Sequence, residues 1–388
     1  MHQLQMATKQ IMRIPCLVML GFIFLLSTCR YVKQENPTLL YNVDAGKDFD
    51  KLSIIPLSAI GSKLEYVPLE TDSTCLLHSI SKVSLTDSFL FVSDNNRLLL
   101  FDRKGKFINQ VGSQGRGPGE YNRILAFAND LKNREIYLLS DRKIHVYDFK
   151  GQFIREFNLT FPSQQMLLTE NNDLILHSYN FPQASEKPPY SWYIIDRYGK
   201  TLKALPNTLK RSNGGITIIF TPLYIFSGKI HFMEFGIDTL YCYHNGTKTP
   251  HVIFHYDEVK FPPDPTIDEV PGLQGKIWIS SVLESESSLY IQTWSAIPYS
   301  ISNCFFDKTT LTFHRLTENS FTNDIDGGAS FWPMSILNDS LLADVVDAYD
   351  LIKSYNEQVK SAKQSDQLAN VIISLTETSN PVIVILYP

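Results

Sequence analysis

The sequence predicts an all-β fold: a six-bladed β-propeller with a short C-terminal helical insertion before its closing strand. Three observations predict it. A turn unit recurs with a period in the high forties, each period holds about four short apolar runs, and the chain ends in an apolar, β-branched segment.

The clearest unit is Leu100-Phe101-Asp102-Arg103-Lys104-Gly105-Lys106-Phe107-Ile108, an apolar pair, a turn containing Gly, then a new strand. It returns as Val146-Tyr147-Asp148-Phe149-Lys150-Gly151-Gln152-Phe153-Ile154 and as Ile194-Ile195-Asp196-Arg197-Tyr198-Gly199-Lys200-Thr201-Leu202. A weaker copy is Cys242-Tyr243-His244-Asn245-Gly246. The four glycines are spaced by 46, 48 and 47 residues. A fifth copy, Phe305-Phe306-Asp307-Lys308-Thr309-Thr310-Leu311, lacks the Gly. Another strand precedes each copy: Phe89–Val92, Ile136–Leu139, Leu174–His177, Lys229–Met233 and Leu289–Gln292. A single blade cannot cover its own apolar faces, whereas neighbours packed in a ring do so. Residues 63–388 would hold about seven such periods, and insertions reduce the count to six.

The amino terminus reads differently. Lys9 and Arg13 precede an apolar run, Ile14 to Leu26, too short to span a bilayer comfortably and of signal-peptide proportions. Residues 1–28 are therefore expected to be a signal peptide. Residues 29–62 follow as a lipidated, polar tether, and residues 63–388 form the propeller. Leu26-Ser27-Thr28-Cys29 is similar to a bacterial lipobox, with Thr28 where Gly, Ala or Ser is commoner; this makes Cys29 the candidate lipidation site. Without residues 1–28 the net charge falls from −5 to −7, and no basic stripe stands out, so nucleic acid is not the expected partner. Cys75, Cys242 and Cys304 are scattered and odd in number, which argues against a disulfide framework.

The remaining elements follow in order. Lys63–Glu70 alternates as a strand, and Pro68 suits a sheet edge. Ser340–Val346 reads as a strand, and Ala348–Lys363 carries a helical apolar stripe. Gln367–Leu375 continues as a second helix, Asn380-Pro381 breaks it, and Val382–Tyr387 is the closing strand, with Lys63–Glu70 its natural partner.

The lipobox, Lys63–Glu70, the unit from Phe101 to Tyr121 and the terminal strand together resemble one family. It comprises six-bladed β-propeller lipoproteins of Gram-negative gut-type bacteria, distantly similar to NHL-repeat propellers. The resemblance implies a secreted setting, anchored by lipid to the outer membrane, periplasmic or at the cell surface. It supplies no reaction and no catalytic residue.

Several motifs compete for function. Gly115-Arg116-Gly117-Pro118-Gly119-Glu120-Tyr121 is glycine-rich, but no Lys-Ser/Thr pair follows, so it is not a phosphate-binding loop. It reads as a structural crossover between blades, with Arg116 and Glu120 placed to pair across it. His251 and His255 would lie about 13 Å apart along one strand, too far to share a metal. No G-x-S-x-G elbow occurs. No cofactor and no metal site are expected.

Trp192, Trp278, Trp294 and Trp332 are the only tryptophans, and core packing is their commonest role. Three of them fall in the later, less regular blades, as does the Pro-rich loop Phe261–Lys276. A further loop spans Phe181–Tyr190. Long loops on a rigid scaffold often carry binding. Trp294 and Trp332, with Trp192 as a neighbouring third, are therefore the candidate ligand-stacking residues. The expected role is a binding or scaffold module for a glycan, a peptide or an outer-membrane protein. The alternative is a hydrolase or lyase with its active site at the channel mouth, an argument from fold analogy alone.

Overall fold

A computed structural model describes residues 39–47, 49–178, 190–206, 220–263, 272–358 and 365–388. Residues 39–388 form one compact unit. The signal peptide, Cys29, residues 181–189 and the middle of the loop 261–276 lie outside the described residues.

Three strands open the unit: β1 (Tyr41–Asp44), β2 (Leu52–Ser53) and β3 (Lys63–Pro68). Five sheets of consecutive antiparallel strands follow. The first contains β4 (Ile80–Leu85), β5 (Phe89–Asp94), β6 (Arg97–Asp102) and β7 (Phe107–Gln110). The second contains β8 (Ala126–Asp130), β9 (Glu135–Ser140), β10 (Lys143–Asp148) and β11 (Phe153–Asn158). The third contains β12 (Gln165–Leu168), β13 (Leu174–His177), β14 (Tyr190–Ile195) and β15 (Thr201–Pro206). The fourth contains β16 (Leu223–Phe226), β17 (Lys229–Met233), β18 (Thr239–His244) and β19 (Thr247–His255), with β1 added in parallel on β19. The fifth contains β20 (Ile277–Glu284), β21 (Ser288–Ala296), β22 (Tyr299–Asp307) and β23 (Thr312–Leu316), with β2 added in parallel on β23. The sixth joins both ends of the unit: β24 (Ser335–Leu337), β25 (Leu341–Val346), β26 (Val382–Tyr387) and β3.

The recurring turn has a local cause. The carboxylates of Asp102, Asp148 and Asp196 each accept the backbone N–H groups two and four residues on, at 2.8–2.9 Å. Gly105 and Gly151 then take positive φ, +85° and +79°. They also bring each turn against the sheet before it. A Cβ on Gly105 would lie 2.1 Å from the Pro68 oxygen, and one on Gly151 would lie 2.3 Å from the Gln110 oxygen. In the copy without Gly, Asp307 still accepts from Thr309 and Thr310, and Leu311 takes φ +57°.

Alternation along the strands explains why both faces are apolar. Leu90, Val92, Leu99 and Phe101 pack toward the sixth sheet, with Val67, Ile383 and Ile385. Their neighbours Phe91, Leu98 and Leu100 pack toward the second, with Phe127, Ile136 and Tyr147. A corresponding cluster fills each of the other four gaps between successive sheets. The first strands touch in succession, β4 with β24, β24 with β20, β20 with β16, β16 with β12, and β12 with β8. Between β4 and β8, Ser84 donates to Asn129 at 3.1 Å, so the succession returns to its start. The fold is all-β and propeller-like.

The termini share the sixth sheet: β26 pairs antiparallel with β3 from Val382↔Pro68 to Tyr387↔Lys63. Two helices, α1 (Ala348–Gln358) and α2 (Asp366–Ser374), precede β26. Ser365 caps α2 by accepting the Leu368 N–H at 3.1 Å. Among the described residues no helix is long and apolar enough to cross a membrane.

One assignment requires correction. Residues 39–62 belong to the folded unit rather than to a tether, because β1 and β2 pair with the outer edges of the fourth and fifth sheets. Such pairing needs backbone donors and acceptors more than an apolar pattern, so a polar stretch can form it.

Candidate functional site

A cavity of about 350 Å3 is bordered by the first strands of several sheets. Ser81 comes from β4, Gln165 from β12, Leu223 from β16, and Ser280 to Leu283 from β20. Phe220 and Thr221 precede β16, and Trp332 to Met334 precede β24. Tyr290, Gln292 and Trp294 complete the wall from β21.

The wall is preorganised. The Trp294 indole N–H donates to Gln292 Oε1 at 3.1 Å, and the Gln292 amide donates to Asn303 Oδ1 at 3.3 Å. Phe220 tilts against Trp294 with ring centroids 5.8 Å apart. Trp332 lies parallel to Phe321 at 6.1 Å and meets the Tyr290 ring edge-on at 6.2 Å. Gln165 donates to the Thr221 carbonyl at 2.7 Å, and Ser280 donates to the Gln292 carbonyl at 3.1 Å. The β20–β21 register slips between Ile279 and Ser281, a bulge that re-aims side chains beside the cavity. Ser281 is exposed there. The lining contains amide, hydroxyl and aromatic groups and, among the described residues, no Asp, Glu, His, Lys or Arg.

The structure thus brings Trp294 and Trp332 to one cavity. Trp192 does not join them: it is fully buried between the third and fourth sheets, 4.7 Å from Phe232 and 4.4 Å from His177. That placement corrects its assignment as a stacking residue; the neighbouring sheet covers its ring. Trp278 is buried as well, packed on Phe261.

The glycine-rich loop forms part of a second, more open groove of about 650 Å3, together with Asp141, Arg142, Lys143, His145 and Glu156. Arg116 and Glu120 do not pair. The Glu120 carboxylate instead turns into the loop and accepts the Gly117 N–H at 2.7 Å. A Cβ on Gly115 would meet that carboxylate at 1.9 Å, so a larger residue there would have to displace the Glu120 side chain. Gly119 takes φ +76°, and its carbonyl accepts the Tyr147 hydroxyl at 3.0 Å. Tyr121 is fully buried, edge-on to Tyr147.

A buried polar cluster joins the fourth and fifth sheets and was not legible from sequence spacing. Glu284 is fully buried and accepts from Tyr224 Oη at 2.6 Å, His251 Nε2 at 2.8 Å and Lys308 Nζ at 2.6 Å. Burial alone would raise its carboxyl, but His251, Lys308 and His231 outweigh it and hold the group down at about 2. Burial pushes His231 down to about 4 and pushes the Tyr224 hydroxyl well up. His231, His251 and Glu284 offer ligand atoms within 4.8 Å of one another, a set of metal-ligating types. Lys308 already supplies the countercharge at Glu284, and a divalent ion would leave excess positive charge buried. The set fits an internal ion pair better than a metal centre.

The sequence profile of one family, described as a domain of unknown function (DUF4934), matches residues 40–387. The chain belongs to the DUF4934 family. A search of curated proteins finds no match. The DUF4934 chain shares its fold with a solved protein from Bacteroides fragilis that is described as exported. Identity is 16%, coverage is 89% of this chain and 99% of that one, and the TM-score is 0.65. It is also similar to a member of the DUF4221 family from Bacteroides vulgatus. There identity is 8%, coverage is 85% and 97%, and the TM-score is 0.47.

Proposed function

We propose that the protein is a membrane-anchored extracytoplasmic binding module. Its six sheets act as the blades of a six-bladed, NHL-like propeller, and its ligand enters the cavity walled by Trp294 and Trp332. One observation carries the reading: two tryptophans share a cavity whose polar groups are all uncharged. Such a wall suits a neutral ligand with one apolar face and several hydroxyl or amide groups, a glycan before a peptide. General acid–base chemistry needs a group that titrates near the operating pH, and among the described lining residues the Tyr290 phenol is pushed up to about 12 by burial, so the lining favours binding over the hydrolase or lyase alternative.

A glycan and peptide array probed with the purified full chain tests this reading. Aromatic stacking contributes about 0.5–1.5 kcal/mol beyond area burial, so Trp294→Ala or Trp332→Ala should weaken binding several-fold. Stable variants at both positions with unchanged affinity would overturn the assignment.

The lipobox-like Leu26-Ser27-Thr28-Cys29 supports lipid anchoring, in keeping with the export described for the Bacteroides fragilis neighbour. Cys29→Ala should abolish lipid labelling and release the protein from membranes. Unchanged fractionation and labelling would rule the anchor out.

A further inference from the structure

The wall segment carrying Trp332 is pinned at three successive points. Phe331 exchanges backbone hydrogen bonds with Phe321, at 2.8 and 3.0 Å. The Met334 N–H donates to the Ala343 carbonyl at 2.8 Å. Between them, the Trp332 N–H donates to Asp344 Oδ2 at 2.9 Å. Two pins are backbone pairs and carry no group that titrates near neutrality. The third is a side chain that can titrate.

We propose that Asp344 is the positioning residue of the cavity: its ionised carboxylate holds the main chain at Trp332, and that hold is released when Asp344 takes up a proton. The consequence for affinity rests on the cavity being the ligand site; the positioning does not.

Both carboxylate oxygens are committed, since Oδ1 accepts the Val345 N–H at 2.7 Å. Protonation converts one oxygen into a donor, so one of the two N–H groups then faces an O–H. Asp344 is 9% exposed on β25, and among the described residues no charged side chain compensates it. Burial pushes its carboxyl up to about 7, while the two N–H bonds act against this. The ladder Asp344↔Val384↔Tyr66 places Tyr66 on the same face, with its hydroxyl donating to Asp326 at 3.0 Å. Tyr290 reaches the segment from the fifth sheet through Trp332. Burial pushes both phenols up, Tyr290 to about 12, so neither titrates near neutrality. No Lys, Arg or His faces Asp344 from β24, from β26 or from the segment 331–334.

The test is acrylamide quenching of tryptophan fluorescence in the full chain, from pH 8.5 to 5.5. Quenching should rise on acidification with a midpoint at about pH 7. The transition should be absent from Asp344→Asn, whose amide cannot titrate, and from Trp332→Phe, which removes the reporter. A flat wild-type titration overturns the proposal, as does a transition that survives in either variant. If Asp344→Asn fails to fold, wild type against Trp332→Phe still decides. Acrylamide reads the wall directly, so a cavity that binds nothing on the array would leave this result standing. A flat titration would refute positioning even with a ligand in hand.

Discussion

Lys308→Met should destabilise the fold by about 3–5 kcal/mol, measured as a shift in urea unfolding followed by circular dichroism. The substitution keeps the length and apolar stem of the side chain. It removes the ammonium 2.6 Å from a fully buried carboxylate, whose other donors are Tyr224 and His251. It also removes a bond to the Ser285 carbonyl and a cation lying 4.4 Å from the Phe226 ring centre. The loss reflects the charge left behind rather than the worth of the pair, so Glu284→Gln combined with Lys308→Met should recover much of it. A loss under about 1 kcal/mol in the single variant would mean that the carboxylate finds solvent or a proton without cost. The pH dependence has a defined sign. Glu284 is held below its ordinary range, so its contribution is present above that range and is lost as pH falls toward about 2. His231 is kept neutral by burial, and its contribution is complete above the usual histidine range and lost as pH falls toward about 4. Between pH 7 and 4 the urea midpoint of His231→Gln should therefore fall less, or rise more, than that of wild type.

Deleting Val382–Pro388 should prevent a stable fold rather than lower its melting temperature by a few degrees. β26 lies between β25 and β3, and among the described strands β3 has no other partner. Val382, Ile383, Val384, Ile385 and Leu386 are all buried. At about 1.5–3 kcal/mol per side chain, their burial is comparable to the whole stability of an ordinary domain, about 5–15 kcal/mol. The deletion also exposes two apolar strand edges, so aggregation is the expected appearance. A soluble, monodisperse truncated protein with an unchanged melting temperature would exclude this account of the sixth sheet.

What the sequence discloses and what it hides divide along a physical line. The Asp102, Asp148 and Asp196 turns are local: a carboxylate bonds its own backbone and a glycine follows, so the repeat shows in a few residues. The terminal strand was legible because five apolar residues in a row have no use in solvent. The pairing of β1 and β2 left no pattern, because an added outer strand is held by backbone groups. Trp192 and Trp294 are indistinguishable by type, and a neighbouring sheet decides which is covered. Glu284 and Lys308 are 24 residues apart, and His251 lies 33 residues before Glu284. Packing of the fourth sheet against the fifth brings the three together. The bulge beside Ser281 is likewise a matter of register, which residue spacing does not record.

The sharing of one sheet by both ends also sets a clock on biosynthesis. Lys63 pairs with Tyr387, so β3 waits for nearly the whole chain before its ladder can form. The first sheet waits as well, because Val83, Leu90 and Val92 are covered by Ala343, Ile383 and Ile385 from the sixth. At about 5–20 residues per second, translation leaves these faces uncovered for tens of seconds. During that interval the nascent chain is a better client for chaperones than any later form of it.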